Sequence, residues 1–369
     1  MSVSAQAPSR RRHAVFHRLR VRAVDRLTDD AVAVTFDVPD ELREEYRFEP
    51  GQHLTIRWTT PDGEEARRTY SICAPATSGE LRIGVKRLAG GLFSTHACGR
   101  LRPGDTLEVM TPAGQFRVPL DPGHAKHYAA IAAGSGITPI LSIISTALQV
   151  EPRSRVTLIY GNRTSNSVMF LEELQDLKNR YPDRFHLINV LSREPQEVEL
   201  FCGRIDRDKL AVFLRTLVPA DGVDEWLLCG PYGLIEQARQ TLRDHGVAPE
   251  RIHQELFHVG EPVRETVDLG PAAPAGPAST VTVILDGRAS TFELPAGGES
   301  VLEGALRVRN DAPYACKGGV CGTCRARLVE GAVRMDRNFA LEQDELAAGF
   351  VLACQSHPTS ERVVLDFDH

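Results

Sequence analysis

No apolar run in this 369-residue sequence approaches the roughly 20 residues that a bilayer-spanning helix needs, so no helical membrane span is expected. Excess positive charge is also missing. Lys and Arg number 43 against 49 Asp and Glu, a net charge of −6, whereas a dedicated binder of nucleic acid or of an anionic membrane would favour a basic face. There is no internal repeat. Arg10-Arg11-Arg12 lacks the apolar core that follows a twin-arginine export signal, because Arg18, Arg20 and Arg22 interrupt the next stretch. These arginines read as a basic tail before the first strand, and the protein is expected to stay in the cytoplasm. A disulfide framework is not expected in that compartment. Of the 8 cysteines, Cys73, Cys98, Cys202 and Cys229 are scattered, whereas Cys316, Cys321, Cys324 and Cys354 crowd the C-terminal fifth. The composition, 42 % apolar and 25 % charged, is that of an ordinary globular protein. The length predicts two or three domains rather than a single core.

Hydrophobic period divides the chain. Leu19, Val21 and Ala23 alternate with Arg18, Arg20 and Arg22, and Val32, Val34, Phe36 and Val38 repeat this period-2 pattern of half-buried strands. Further strands are predicted at His53–Trp58, Arg67–Ile72, Leu81–Val85 and Thr106–Met110, with a short helix after Gly90-Gly91. Six short strands in about 100 residues imply a small antiparallel β-barrel. From Tyr128 onward strand and helix patterns alternate as far as His245, which predicts βαβ units around a parallel sheet. Between Val259 and Ser279 periodicity disappears. Gly270-Pro271-Ala272-Ala273-Pro274-Ala275-Gly276-Pro277 reads as a semi-extended linker. Beyond it, Val281–Leu285, the Asp286-Gly287 turn and Ser290–Leu294 predict a hairpin. The expected domains are a barrel at 14–122, an α/β domain at 123–258, a linker at 259–279 and a further domain at 280–369. This last carries 9 basic and 13 acidic residues, a net of −4.

The strongest signal is Cys316-x4-Cys321-x2-Cys324 followed, after 29 intervening residues, by Cys354. This is the C-x4-C-x2-C…C spacing of plant-type [2Fe–2S] ferredoxins. Two irons need four thiolates, and these spacings let one loop and one distant anchor aim all four inward. Gly318, Gly319 and Gly322 would let backbone N–H groups approach the sulfurs. The alternative is a structural zinc site, which ordinarily uses two short C-x2-4-C pairs.

A one-electron centre needs a supplier of single electrons, and upstream motifs suit one. Gly134-x-Gly136-x-x-Pro139 lies between an apolar strand and a helix, the context of a dinucleotide loop. Glycines permit close phosphate approach, and the helix N-terminus offers unpaired N–H groups. The third glycine of the common fingerprint is absent, so a generic strand–turn–helix remains the alternative. Arg68-Thr69-Tyr70-Ser71 and Gly90-Gly91-Leu92-Phe93-Ser94 suit an anionic, aromatic cofactor: guanidinium for pyrophosphate, phenol against a flavin ring, hydroxyl for a ring nitrogen. Tyr70 as barrel core and Arg68 as a solvated charge would explain each residue separately.

The series Phe48-x-Pro50-Gly51-Gln52, Arg68-x-Tyr70-Ser71, Gly90-Gly91-x-x-Ser94, Gly134-x-Gly136-x-x-Pro139 and Cys229-Gly230-Pro231 resembles the ferredoxin–NADP reductase superfamily. With the C-terminal ferredoxin signature, the chain is similar to the one-component reductases of bacterial oxygenases. More narrowly, Arg68–Pro75, Tyr160–Thr164 and Met335–Leu341 resemble the reductase family that serves phenylacetyl-CoA monooxygenase, a ring epoxidase. The resemblance implies an FAD-binding barrel, an NAD(P)-binding α/β domain and an α+β, β-grasp ferredoxin domain. It assigns Arg68 to the FAD pyrophosphate, Tyr70 to the isoalloxazine and Ser71 to the vicinity of N5, with Val85, Lys86, Gly91, Leu92 and Ser94 completing the site. Gly134, Gly136, Thr138 and Pro139 would hold the nicotinamide nucleotide, and Cys229, Gly230 and Pro231 would approach the nicotinamide. Phe257 would shield the flavin or pack as an edge-strand core residue. Cys73, Cys98 and Cys202 read as core.

The stretch Gly161-Asn162-Arg163-Thr164-Ser165-Asn166 offers no carboxylate for a ribose 2′-hydroxyl and does offer Arg163, which favours NADPH over NADH. A solvated Arg163 would look the same. The resemblance implies electron flow from NADPH through FAD and the cluster to a separate oxygenase protein. Hydride transfer demands alignment and exclusion of water more than an acid or base, so no catalytic dyad is expected. Two other readings remain: a reductase for a Rieske-type ring or steroid hydroxylase, and a redox sensor or binding module with a structural metal.

Overall fold

The structure, a computed structural model, describes residues 15–63, 65–258, 267–269, 278–295, 297–341 and 343–368. The arginine run at 10–12 and the linker at 270–277 lie outside the described residues. The chain divides into two compact units, one within Phe16–Glu261 and one within Pro262–His369.

The larger unit begins with six strands: β1 (Phe16–Thr28), β2 (Ala31–Asp37), β3 (His53–Thr59), β4 (Glu65–Ser71), β5 (Leu81–Lys86) and β6 (Thr106–Met110), with helix α1 (Leu92–Gly99) before β6. Their order is β4-β3-β6-β1-β2-β5, every pairing antiparallel. A bridge between Ile72 and Ile83 brings the two ends of the sheet together, so the strands form a barrel. Leu19, Val34, Leu54, Ile56, Ile83 and Val109 fill it, and Phe93 and Ala97 of α1 join this core. Sequence alternation predicts β2 as half-buried, but Ala31 through Phe36 are all buried. Val32, Val34 and Phe36 face the barrel core, while Ala31 and Ala33 belong to a second core shared with the following domain. Two small side chains on the outer face allow that close cover.

The parallel sheet contains β7 (His127–Ala133), β8 (Arg155–Asn162), β9 (Phe185–Leu191), β10 (Glu225–Pro231) and β11 (Ile252–His258). Helices α2 (Ile137–Val150), α3 (Leu171–Arg180), α4 (Arg207–Thr216) and α5 (Tyr232–Asp244) connect these strands. The strand order is β11-β10-β7-β8-β9, so the chain reverses direction across the sheet between β7 and β10. Ligands of open α/β sheets bind outside the carboxyl ends of the strands at such a switch point. Helix α2 is buried from Ile137 to Leu148. Ser142 Oγ donates to the Ala74 carbonyl at 2.7 Å, and Ala76 N donates to Thr146 Oγ1 at 3.0 Å, fastening the helix to the barrel. Arg82 of β5 adds a bidentate pair with Glu173 of α3, at 2.8 and 3.1 Å.

In the second unit β12 (Val267–Leu269) precedes the hairpin β13 (Ala278–Leu285) and β14 (Arg288–Pro295). Asp286 and Gly287 turn the hairpin with φ of 54° and 67°, the two positive values a type I′ turn requires. Helix α6 (Val301–Val308) follows, then β15 (Arg325–Glu330), β16 (Val333–Met335), α7 (Gln343–Ala347), β17 (Phe350–Leu352), β18 (Ser356–Pro358) and β19 (Arg362–Asp366). One sheet runs β14-β13-β19-β15-β17, with β13 and β19 parallel, and β12-β16-β18 form a smaller one. Gly304 lets α6 lie against β14: a Cβ there would stand 2.4 Å from the Phe292 ring. This is the mixed-sheet α+β arrangement expected of a β-grasp domain. No helix among the described residues is long and apolar enough to cross a membrane.

Candidate functional site

Arg68, Tyr70 and Ser71 end β4. Arg68 is exposed, with Nη1 donating to the Arg67 carbonyl at 2.7 Å. The Tyr70 ring lies 5.5 Å from Phe93, which joins the end of β4 to the start of α1. Burial raises the Tyr70 phenol, keeping it neutral. Gly91 precedes α1, whose N-terminus no side chain caps, leaving first-turn N–H groups for an anion. Ser94 Oγ instead accepts from Leu88 N at 3.2 Å, closing the Gly90-Gly91 turn in advance of any ligand. Leu92 opens α1. Val85 is buried, and Lys86 Nζ lies 3.7 Å from Asp30. The uncapped helix start beside an aromatic ring and a ready-made turn fits a flavin dinucleotide.

The switch point carries the second set. Gly134 takes φ +54° in the turn after β7, and the Tyr160 hydroxyl donates to its carbonyl at 2.9 Å. Gly136 is needed for a different reason: a Cβ there would stand 2.2 Å from the Cys229 carbonyl oxygen and 2.8 Å from Gly230 N. The dinucleotide loop and Cys229-Gly230-Pro231 are thus in backbone contact. Thr138 Oγ1 donates to the Ser135 carbonyl at 3.0 Å, and Pro139 lies buried in the first turn of α2, which no side chain caps. Gly84 of β5 packs on Thr138, its absent Cβ leaving 2.5 Å to Thr138 Cγ2. The two candidate sites therefore adjoin within one unit.

Glu255, unassigned by sequence reasoning, links them. Ser71 Oγ donates to Glu255 Oε2 at 2.9 Å, and His53 Nδ1 lies 3.7 Å from Oε1. His53 pairs with Ser71 across β3 and β4, and Cys229 pairs with Glu255 across β10 and β11. Burial, then the Glu255 charge, push the Cys229 thiol well up and keep it protonated. His53 Nε2 is buried with no hydrogen-bond partner among the described residues. Although no dyad is expected, a Ser–carboxylate–His group joins Ser71, assigned to the flavin N5 vicinity, to the strand paired with Cys229, assigned to the nicotinamide. An acidic residue in the strand that carries Phe257 was the available signal. Phe257 itself is partly buried on edge strand β11 and packs on the shared core.

Arg163 is exposed at the end of β8, its carbonyl accepting from Arg193 N at 2.8 Å. A carboxylate does reach this loop, from β9's end: Glu194 Oε2 accepts from Ser165 N at 2.8 Å and Ser165 Oγ at 3.0 Å. It is distant in sequence, so inspection of residues 161–166 missed it.

In the smaller unit Cys316, Cys321 and Cys324 occupy the loop before β15, and Cys354 follows β17. Cys316 lies beside Cys321, and Cys324 beside Cys354. The neighbouring Cys321 thiol, aided by N–H groups of Gly318, Val320 and Cys321 against the effect of burial, holds Cys316 below the ordinary thiol range. Cys324 acts on Cys354 in the same direction. Gly318 N donates to Cys316 Sγ at 3.3 Å. No group of three or more His, Cys, Asp or Glu among the described residues could hold a single metal ion. Two thiol pairs ringed by N–H donors fit a two-iron cluster.

The comparisons agree in order along the chain. Residues 18–118 match the oxidoreductase FAD-binding domain, 130–240 the oxidoreductase NAD-binding domain and 283–359 the 2Fe-2S iron-sulfur cluster binding domain. The chain is 47 % identical to a subunit of the 1,2-phenylacetyl-CoA epoxidase of Escherichia coli (strain K12), over 96 % of this chain and 98 % of that protein. It is 33 % identical to the ferredoxin reductase component of 3-ketosteroid-9-alpha-monooxygenase of Rhodococcus rhodochrous, over 95 % and 96 %. Among solved structures, phthalate dioxygenase reductase aligns with a TM-score of 0.57 and 26 % identity, over 95 % of this chain and 98 % of that one. It is described as a modular structure for electron transfer from pyridine nucleotides to [2Fe–2S]. This chain is therefore an NAD(P)H-dependent flavin and iron–sulfur oxidoreductase that passes electrons to an oxygenase, and it belongs to the family of oxygenase reductases that unite FAD-, NAD- and [2Fe–2S]-binding domains in one polypeptide.

Proposed function

We propose that this chain is the reductase of a phenylacetyl-CoA epoxidase and serves phenylacetate catabolism. The observation that carries the reading is 47 % identity, essentially end to end, with a component of that epoxidase. FAD, when bound, would supply hydride acceptance from the nicotinamide and one-electron donation to the [2Fe–2S] centre. The chain's own residues bind, align and exclude water. Arg68, with Gly91, Leu92 and the α1 N-terminus, holds the FAD pyrophosphate, Tyr70 packs on the ring system, and Val85, Lys86 and Ser94 shape the rest. Ser71, with Glu255 as its acceptor, orients its hydroxyl at the reacting edge, and buried Cys229 fixes the nicotinamide's approach as a neutral thiol. Gly134, Gly136, Thr138 and Pro139 hold the nucleotide's pyrophosphate, Gly230 and Pro231 flank its nicotinamide, and Phe257 covers the flavin. Cys316, Cys321, Cys324 and Cys354 hold the cluster.

NADPH is the proposed coenzyme. Arg163 and Arg193 stand side by side at the ends of β8 and β9, and Glu194 is already engaged by Ser165. The chain acts in the cytoplasm on a protein partner, with no nucleic-acid or membrane role, as its acidic charge supports. The functional domains are taken as 14–122, 123–258 and 280–369, joined by a linker at 259–279; within that predicted linker Val267–Leu269 is instead held as β12 against β16 of the second unit, which leaves 270–277 as the tether.

A second reading, reductase of a Rieske-type steroid hydroxylase, is favoured by the 33 % identity with the 3-ketosteroid enzyme's reductase. Reconstitution separates the two. With NADPH and this chain, a purified phenylacetyl-CoA oxygenase component should form epoxide, whereas turnover only with a steroid oxygenase would transfer the assignment. In the same assay NADPH should outperform NADH, and Arg163→Ala should erase about tenfold of that preference, the worth of one charged hydrogen bond. A wild-type preference for NADH would reject the coenzyme assignment, and equal ratios in both proteins would remove Arg163 from it.

A further inference from the structure

Gln355 follows the fourth cysteine and is buried, only 8 % exposed. Its Nε2 lies 2.9 Å from the Lys317 carbonyl, 3.0 Å from the Cys354 carbonyl and 3.5 Å from Cys354 Sγ. All three neighbours are acceptors once Cys354 is a thiolate, so the amide must present its nitrogen here and not its oxygen. Two N–H hydrogens serve three acceptors, and the only charged one is the ligand sulfur. Charge-assisted hydrogen bonds are the stronger ones.

The clamp also has a reason to be where it is. Lys317 is a non-glycine residue at φ +51°, an unfavourable conformation that persists only when its surroundings hold it. Gln355 holds its carbonyl, and the Gly319 position contacts Gln355 directly, a Cβ there falling 3.2 Å from Gln355 Cγ. The glutamine thus joins the loop of three cysteines to the distant fourth.

We propose that Gln355 sets the reduction potential of the [2Fe–2S] centre by donating its side-chain amide to Cys354 Sγ. Reduction adds negative charge that the thiolate sulfurs share, so a donor fixed on one sulfur stabilises the reduced centre more than the oxidised one. Removing it makes the centre harder to reduce by the flavin.

The test is potentiometry on the full-length holoprotein, following the cluster's absorption and its reduced-state electron paramagnetic resonance. In Gln355→Leu the reduced-to-oxidised ratio at a given potential should fall about tenfold, a shift of about 59 mV to more negative values for a one-electron couple. An unchanged potential with full iron content would overturn the proposal. Should Gln355→Leu lose its cluster, the native protein decides. With ¹⁵N confined to glutamine side-chain amides, the reduced centre should show hyperfine coupling to one ¹⁵N, and absence of coupling would overturn the proposal.

Discussion

An alanine at 136 would drive its Cβ into the backbone of Cys229 and Gly230, neither of which is the end of a flexible side chain. An alanine at 134 meets nothing within 4 Å but must adopt φ +54°. The first change is an overpacking between two strands' ends, costing roughly 2–3 kcal/mol; the second is a left-handed residue, costing about 1–2 kcal/mol. Thermal unfolding of the two variants should rank Gly136→Ala below Gly134→Ala. The reverse order would contradict the close approach. Sequence reasoning picked out both glycines, but for phosphate access. That the second one also makes room for the β10 end depends on which strand lies beside β7, and no local pattern states it. Glu255 was missed for a similar reason: its partners Ser71 and His53 are on barrel strands nearly 200 residues away.

Strands and helices were the more legible scale. The period-2 pattern and the alternation of strand and helix stretches located most of them as far as His245, and the Asp-Gly turn placed the hairpin. Beyond that hairpin α6, α7 and β15 to β19 were not singled out, and β2, though located, is buried on both faces because the neighbouring domain covers a surface that alternation marks as outer. Among the parallel strands, β10 begins at Glu225, which Lys126 Nζ approaches to 2.6 Å and His253 Nε2 to 2.9 Å. Burial pushes this carboxyl up, but the bonds from His253 and Lys126 outweigh it and leave it below its ordinary 4.5. The sign follows. A carboxyl depressed in the folded state contributes stability that is complete above its unfolded value and is lost as pH falls through the folded one. Stability of the larger unit should therefore decline as pH falls below the ordinary carboxyl value of 4.5. Glu225→Gln should be less stable at pH 7 and show a shallower decline. An identical slope in denaturant titrations across that range would remove Glu225 from the account.

At the scale of the whole molecule the chain is two compact units, and electrons must pass from a flavin in one to a cluster in the other. The Pro- and Ala-rich stretch at 270–277 has the composition of a semi-extended spacer. Its removal should leave flavin reduction by NADPH unchanged while slowing cluster reduction severalfold, both read by stopped-flow absorbance. Unaltered cluster reduction would show that the tether's length is immaterial.

The amino-acid sequence alone determined the cofactor classes and their order along the chain. Cluster ligation depends on cysteine spacing, and phosphate turns depend on local glycines. Both are short-range properties written in consecutive residues. Tertiary structure alone decided the pairing of Ser71 with Glu255, the contact of Gly136 with Cys229, the arrival of Glu194 at the Arg163 loop and the reach of Gln355 to both Lys317 and Cys354. Each of these relations arises where packing of strands and loops brings distant residues within hydrogen-bonding or van der Waals range.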